Sequence, residues 1–232
     1  MGEMMNVLFL GDSITEGVPG VSYTEIIKKQ IENIKIVNRG VGGDTVSSLF
    51  RRVKKMSDLS NYDHIVLFIG VNDVYGKLNH TYRVLKILKN QKWAKNKNKF
   101  IIQYNELINY ILTYNKNIIV IPPLLLGEDV LNKWNLELDE LRNEIVEIIQ
   151  KNDLPILRID HSFKDYLQNK EISAYLPLKI TELLQDVTKL TNPQLVDEKS
   201  NSRGLHITLD GVHLNSTGAK MIANEIIKRL EL

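Results

Sequence analysis

The sequence predicts an α/β fold built on a parallel sheet, and two patterns support this prediction. Short apolar runs, each bounded by turn residues, recur at residues 5–10, 34–37, 65–69, 118–121 and 155–159. Their apolar character is continuous rather than alternating, which is typical of strands buried on both faces of a parallel sheet. Segments with helical spacing lie between these runs. The alternation of strands and helices implies right-handed crossovers and a functional site at the carboxyl ends of the strands.

Two of the helical segments have clear apolar faces. Residues 138, 141, 145, 148 and 149 are Leu or Ile and follow the i, i+3, i+4 rule. A second apolar face runs from Ala219 to Leu230, and it follows Asn215, Ser216 and Thr217, whose side chains suit a helix N-cap. The sequence therefore predicts that the chain ends in an amphipathic helix.

Length and composition favour one domain over residues 1–232. The chain has 43% hydrophobic and 25% charged residues, enough for a full core, which excludes a disordered or fibrous protein. Its net charge of +2 gives no overall field for nucleic acid, so no nucleic-acid partner is expected. The absence of cysteine excludes disulfides, thiolate zinc sites and a cysteine nucleophile. The sequence has no apolar run of the ~20 residues that span a membrane and no signal-peptide pattern, so we expect a cytoplasmic protein.

Two long segments interrupt the alternation, near residues 75–99 and 161–204. The first carries eight basic residues and no acidic ones between Asp73 and Glu106, which places a strong local charge in a nearly neutral chain. Connections in compact domains are usually ~4–6 residues long. We therefore interpret both segments as insertions that are candidate lids or substrate-binding elements. A solvated helix face is the simpler interpretation of the basic charges.

Four short polar motifs coincide with the ends of the predicted strands or precede the last helix. Ser13 follows the first strand, where its hydroxyl either faces a ligand or caps a helix. Gly43 belongs to a glycine-rich turn after the second strand, and Asn72 follows the third, where it can donate its amide or close an Asx-turn. Asp210 precedes His213 by three residues, so its carboxylate can orient the imidazole. Together these residues supply a nucleophile, oxyanion donors, a base and its orienting acid, which acyl transfer requires.

The four motifs resemble, in order, the four sequence blocks of the SGNH (GDSL-type) hydrolases. The matching segments are Gly11-Asp12-Ser13, Gly43, Gly70-Val71-Asn72-Asp73 and Asp210-Gly211-Val212-His213. They span residues 8 to 215, nearly the whole chain. The resemblance implies a flavodoxin-like three-layer α/β/α sandwich with a five-stranded parallel sheet.

The resemblance also implies a role for each motif residue. Ser13 would be the nucleophile, His213 the general base and then the acid, and Asp210 the residue that orients the imidazole. The backbone N–H groups of Ser13 and Gly43 and the side-chain amide of Asn72 would form the oxyanion hole, with Gly42 as the weaker candidate donor. No metal or cofactor is expected.

The implied activity is that of a serine esterase that cleaves carboxylic esters through an acyl-enzyme, with short-chain or sugar O-acetyl esters as the first expectation. Three alternatives remain open from the sequence. A lipase-like, lysophospholipase-like or thioesterase activity on longer acyl chains would use the same residues, and so would an acyltransferase. A binding module on the same fold is the third, although it would be expected to lack Ser13, Asn72 or His213. The substrate is therefore a small-molecule, glycan or lipid ester, and the oligomeric state is open.

Overall fold

The computed structural model describes residues 4–75, 84, 86–176 and 190–230, and in this part of the chain four parallel strands form one sheet. The strands are β1 (Met5–Gly11), β2 (Ile34–Gly40), β3 (His64–Phe68) and β4 (Ile118–Ile121). Their order across the sheet is β2-β1-β3-β4. Gly11 pairs with Gly40 on one side and with Phe68 on the other, and Phe68 pairs with Ile121. The carboxyl ends of all four strands therefore lie level along one edge.

Helices cover the sheet. They are α1 (Ser13–Glu16), α2 (Tyr23–Gln30), α3 (Val46–Val53), α4 (Val71–Tyr75), α5 (Lys97–Leu112), α6 (Lys133–Lys151), α7 (Ile159–Leu167), α8 (Pro193–Ser202) and α9 (Ser216–Leu230), with a 3₁₀ turn at Leu59–Asn61. One group packs around α9, which contacts α2, α7 and α8; in the other, α5 contacts α3 and α6, and α6 contacts α4. Residues 7–10 of β1 are completely buried, as expected for a central strand covered on both faces. The predicted α/β fold is confirmed.

The helices begin where the sequence supplies side-chain caps. The side chains of Ser22, Thr45, Asn96 and Asn132 each accept a backbone N–H from the first turn of α2, α3, α5 and α6, respectively. Asn215 does the same for the last helix, because its Oδ1 lies 3.0 Å from the Gly218 nitrogen. The start predicted for the C-terminal helix is confirmed.

The expected fifth strand is reduced to one isolated bridge, so the predicted number of strands is wrong. Ile156 forms a parallel bridge with Val120 of β4, flanked by hydrogen bonds of 3.0 Å to the Pro155 oxygen and 2.9 Å from the Leu157 nitrogen. Pro155 has no N–H to donate to a ladder, and α7 already begins at Ile159. The segment therefore leaves the sheet edge after a single pair.

The two proposed insertions are only partly described. Residues 76–83, 85 and 177–189 lie outside the described residues, and they include Lys77 and Arg83 of the basic segment. Within the described parts, residues 86–88 are helical, α5 begins at Lys97, and the second segment contributes α7 and α8. A role for either segment as a lid stays a prediction. None of the helices in the described ranges is both long and apolar enough to cross a membrane.

The buried tyrosine of α5 provides a test of this packing. The hydroxyl of Tyr104 is buried and has no hydrogen-bond partner among the described residues, whereas the buried hydroxyl of Tyr23 donates to Thr15 Oγ1 at 3.0 Å. An unsatisfied buried hydroxyl costs free energy, and a satisfied one stabilises. Tyr104→Phe should therefore raise the free energy of unfolding by about 1 kcal/mol, and the control Tyr23→Phe should lower it by about 1 kcal/mol. Urea denaturation measures both, and a loss of stability in Tyr104→Phe would contradict this packing.

Candidate active site

Ser13 lies at the carboxyl edge of the sheet, immediately beyond β1. It is the first residue of the short helix α1, which Asp12 caps by accepting the Ile14 N–H at 3.0 Å. β1 ends at Gly11, and the chain then turns into α1. Residue 11 has to be glycine because a Cβ would collide with the Phe68 carbonyl oxygen and the Thr15 side chain. The turn places the Ser13 hydroxyl at the edge of the sheet rather than in the core.

The loop before α9 brings Asp210 and His213 to this serine. His213 Nε2 lies 3.0 Å from Ser13 Oγ, and His213 Nδ1 lies 2.8 Å from Asp210 Oδ2. The other carboxylate oxygen of Asp210 accepts the backbone N–H groups of Val212 at 3.0 Å and His213 at 2.8 Å. Because the carboxylate also organises its own turn, the imidazole orientation and the loop conformation depend on one side chain.

A second buried carboxylate holds this loop against the sheet. Glu128 is fully buried and accepts the backbone N–H groups of His206, Ile207 and Thr208 at 2.8, 2.9 and 2.9 Å, together with the Thr208 hydroxyl at 2.7 Å. The Gly127 N–H donates to the Gly211 oxygen at 2.7 Å. The turn that follows β4 therefore determines where the Asp210–His213 turn lies.

The glycine-rich turn after β2 approaches the same edge. The Gly42 N–H donates to Glu16 Oε2 at 2.7 Å, and the Gly42 oxygen accepts from Gln91 Nε2 at 2.7 Å. Gly43 has a φ of +80°, and a Cβ at this position would lie 2.8 Å from Gln91 Oε1. The positive φ favours glycine at residue 43, whereas the flexible end of the Gln91 side chain could move aside for a larger residue.

Asn72 lies in α4 and takes part in a buried polar network. Its Nδ2 donates to Asp12 Oδ2 at 3.1 Å, and its Oδ1 accepts from Lys86 Nζ at 3.2 Å. The same ammonium donates to the Gly43 oxygen at 2.6 Å. Lys86 thus joins the turn after β2 to the helix after β3, and Asp12 joins that helix to the turn after β1.

Burial opposes the charge of both ionisable groups in this network. It raises the pKa of Asp12 to about 6, although the Ile14 N–H, His213, Lys86 and Asn72 act in the opposite direction. It lowers the pKa of Lys86 to about 8, although the carboxylates of Asp73, Asp12 and Asp44 act in the opposite direction. The network therefore contains two charged groups whose ionised forms are disfavoured by burial and stabilised by their polar partners.

For His213, the proposed catalytic base, nearby negative charges outweigh the effect of burial on the pKa. Burial lowers the pKa of His213, but the Asp210 carboxylate, with the charges of Asp12 and Glu16, outweighs burial and holds the pKa of His213 above its ordinary value. Burial raises the pKa of Asp210, but the His213 charge and the hydrogen bonds to Oδ1 and Oδ2 hold that pKa below its usual value.

Ser13, Gly43 and His213 line one cavity of about 350 Å³, and Lys86 and Gln91 line it with them. Asn72 is connected to the cavity through its hydrogen bond to Lys86. The structure therefore brings the sequence-predicted residues together at one edge of the sheet. A serine hydroxyl in contact with a carboxylate-bound imidazole is an arrangement able to perform nucleophilic acyl chemistry.

Sequence reasoning did not identify Lys86, Gln91 or Glu128. The basic segment showed a positive charge near the Asn72 motif, but nothing in its pattern distinguished Lys86 from the neighbouring lysines. Gln91 is one of several uncharged polar residues in that segment, and Glu128 belongs to no recognised motif. Only their hydrogen bonds in the folded protein distinguish these three residues from polar residues that face solvent.

Comparison with known proteins assigns the chain to a family. The model of the GDSL-like Lipase/Acylhydrolase family matches residues 9–221, nearly the whole chain. The chain belongs to this family, and the protein is an SGNH-type hydrolase that acts on carboxylic ester bonds. No curated protein matches the sequence of this chain.

Solved structures show the same fold at low sequence identity. The acetyl xylan esterase AlAXEase is 21% identical with a TM-score of 0.68, and the match covers 97% of this chain and 100% of that one. Axe2, an acetylxylan esterase from Geobacillus stearothermophilus, is 18% identical with a TM-score of 0.67 over 100% and 96% of the two chains. LAE5, an alpha/beta hydrolase from the metagenome of Lake Arreo in Spain, is 16% identical with a TM-score of 0.67 over 98% and 95%.

The Asp210–His213 contact predicts a change in proton affinity. Asp210→Asn keeps an acceptor oxygen for the turn but removes the negative charge, so the pKa of His213 should fall below its wild-type value. An NMR titration of the His213 ring measures both values. His64, the first residue of β3, serves as the internal control, and its pKa should be the same in both proteins. An unchanged pKa of His213 in the variant would contradict the proposed electrostatic role of Asp210.

Proposed function

We propose that the protein is a serine esterase that cleaves short-chain or sugar O-acetyl esters through a covalent acyl-enzyme on Ser13. The observation that carries this proposal is the continuous hydrogen-bonded path from Asp210 through His213 to Ser13, with distances of 2.8 and 3.0 Å. The path ends in an open cavity at the carboxyl edge of the sheet. The family of the chain gives the reaction class, and this path supports the proposed assignment of the residues.

In the first half-reaction, His213 Nε2 takes the proton from Ser13 Oγ as this oxygen attacks the ester carbonyl carbon. The new Oγ–C bond forms, and the electron pair of the carbonyl π-bond moves to its oxygen. Asp210 holds the Nδ1–H of His213 and stabilises the imidazolium. The intermediate then expels the alcohol, which takes the proton from Nε2 as the C–O bond breaks.

In the second half-reaction, water replaces the alcohol. His213 accepts a proton from the water as its oxygen attacks the acyl carbon, and the imidazolium then returns a proton to Ser13 Oγ as the acid departs. Because His213 acts as a base in both halves, activity requires its neutral form. The raised pKa of His213 therefore shifts the acidic limb of the rate profile above the ordinary pKa of histidine.

Three donors are proposed to stabilise the oxyanion: the backbone N–H groups of Ser13 and Gly43 and the side-chain amide of Asn72. The N–H of Gly42 already donates to Glu16, which supports Gly43 rather than Gly42 as the proposed donor. The side-chain amide of Asn72, which donates to Asp12, is oriented by this contact, and the same amide is the proposed donor to the oxyanion.

Lys86 is proposed to position two of these donors. Its ammonium binds Asn72 Oδ1, which directs the amide hydrogens of Asn72 away from Lys86. It also binds the Gly43 oxygen in the turn that carries the Gly43 donor. A donor held in place before the reaction costs no reorganisation in the transition state, and this is the main source of its catalytic effect.

The cavity lining favours a short acyl group. Long acyl chains bind in predominantly apolar grooves, but in the part of the cavity wall that the structure describes, only Val18 and Pro19 contribute apolar side chains. Glu16, Lys86 and Gln91 give the remaining wall a polar character, which suits a hydroxylated alcohol.

The structural neighbours agree with this substrate class. AlAXEase and Axe2 are described as acetyl xylan esterases. Three Axe2 structures carry alanine at a serine, an aspartate or a histidine and are described as catalytic mutants, and the aspartate precedes the histidine by three residues. Asp210 and His213 have the same spacing.

The test is hydrolysis of p-nitrophenyl esters with acyl chains of two to twelve carbons by the wild type, Ser13→Ala and the control Ser162→Ala on α7. We expect the highest kcat/KM for acetate, near-complete loss in Ser13→Ala and no loss in Ser162→Ala. Persistent turnover in folded Ser13→Ala protein would reject the mechanism.

The same series separates the alternative activities. A maximum at long chains would instead indicate a lipase-like or thioesterase activity. Transfer of the acyl group to an added alcohol in preference to water would indicate an acyltransferase.

The oxyanion hole gives a kinetic prediction. Asn72→Ala should lower kcat by about 10²-fold with little change in KM, because its amide acts in the transition state. Asn224→Ala, an exposed change on α9, is the control. Lys86→Met should also lower kcat, but less when Asn72 is already Ala, because part of its effect passes through Asn72. A change confined to KM, or independent effects in the double variant, would contradict these roles.

A further inference from the structure

A second cavity adjoins the catalytic one and has a different chemical character. It has a volume of about 500 Å³ and lies between α3 and residues 89–91 of the basic segment. We call it the basic cleft. Five cationic side chains among the described residues line it: Arg51, Arg52, Lys54, Lys55 and Lys89.

One carboxylate, that of Asp44, lies among the residues lining the cleft, and it is already paired. Asp44 Oδ2 lies 2.6 Å from a guanidinium nitrogen of Arg52, so this pair is nearly neutral. Among the described residues that line the cleft, no further carboxylate accompanies the other four cations. The cleft therefore retains a net positive charge, which attracts anions most strongly in a concave surface.

Part of the cleft wall is fixed in advance. Arg51 donates from its guanidinium to the Asn90 carbonyl oxygen, which joins α3 to the basic segment. Lys54 lies with its ammonium 4.5 Å from the centre of the Phe50 ring. Cations that are already ordered lose less conformational entropy when they bind a ligand.

The basic cleft lies beside the catalytic cavity and shares part of its wall. Lys89 and Gln91 line both, and Gln91 also holds the Gly42 oxygen beside the catalytic turn. A substrate whose ester lies at Ser13 has to extend past the Gln91 side chain to reach the cations of α3.

We propose that the basic cleft binds an anionic group, a carboxylate or a phosphate, carried by the alcohol part of the ester substrate. The proposal rests on the proposed short-chain esterase function, because an acetyl group is too small to carry a second charge. The anion must then belong to the alcohol. The basic segment then takes part in substrate selection, a function that does not require it to close over the site.

The experiment compares three probes that share an acetyl ester: a mono-O-acetylated methyl glucoside, the methyl glucuronoside acetylated at the same hydroxyl, and the correspondingly acetylated glucose 6-phosphate. Released acetate gives kcat/KM for each. We expect the ratio of charged to neutral probe to be about fivefold or more at low salt, and to approach one in 0.5 M NaCl because screening weakens exposed charge pairs. The larger ratio of the two charged probes identifies carboxylate or phosphate as the preferred group.

A double variant, Lys55→Gln with Lys89→Gln, removes two cations from the cleft. The control, Lys29→Gln with Lys220→Gln, removes the same charge from exposed positions on α2 and α9. The charged-to-neutral ratio should fall to near one in the cleft variant and stay at the wild-type value in the control.

The outcomes separate this proposal from the proposed function. A ratio at or below one in the wild type, or an equal fall in both double variants, would overturn the basic cleft as an anion site while Ser13-dependent hydrolysis of the neutral probe continued. Hydrolysis of the neutral probe by Ser13→Ala protein would instead overturn the esterase mechanism. Direct titration of the Ser13→Ala protein with acetylated glucose 6-phosphate measures binding without turnover. We expect this protein to bind the probe more tightly than the triple variant that also carries Lys55→Gln and Lys89→Gln.

Discussion

The level alignment of the strand ends is the constraint on which the rest of the structure depends. Gly40, Gly11, Phe68 and Ile121 form one row across the sheet, so the turns that follow the four strands start at the same height. Because helices cover both faces of the sheet, the polar side chains of a functional site collect at the carboxyl ends of the strands. The proposed nucleophile and the proposed oxyanion donors are far apart in sequence, yet they can meet here without any long connection. The loop before α9 only has to reach the same edge.

Polar contacts then join these turns to one another at the cost of burying charge. Burial disfavours the charged forms of both Asp12 and Lys86, as the direction of each pKa shift indicates. Each side chain is nevertheless held by at least two hydrogen bonds. Removing one partner would leave the other as an uncompensated buried group, which is far more costly than losing a surface pair. The network therefore makes the separation between the turns after β1, β2 and β3 difficult to change. Such rigidity is what a preorganised oxyanion hole requires.

The sequence predicted what depends on local pattern and missed what depends on distant contact. Strands β1 and β4 are continuous apolar runs, and the cap at Asn215 is a local motif, so these elements were predicted closely. The segment at 155–159 has the same apolar pattern but ends in a helix that begins at Ile159, and pattern alone does not reveal that competition. Lys86 and Glu128 acquire their importance only from partners at least 14 residues away, such as Asn72 and Thr208. No local signal could have identified them.

The central claim is that an acyl group resides transiently on Ser13, and the most direct measurement is mass spectrometry of protein quenched within milliseconds of mixing with p-nitrophenyl acetate. Fragmentation of the labelled peptide distinguishes Ser13 from Ser22, the other serine nearby in sequence. The account predicts one acetyl group per chain, located on Ser13, that forms at the rate of the p-nitrophenol burst and disappears at the rate of turnover. Steady turnover with an acetyl group on another residue, or with Ser13 unmodified throughout, would contradict it.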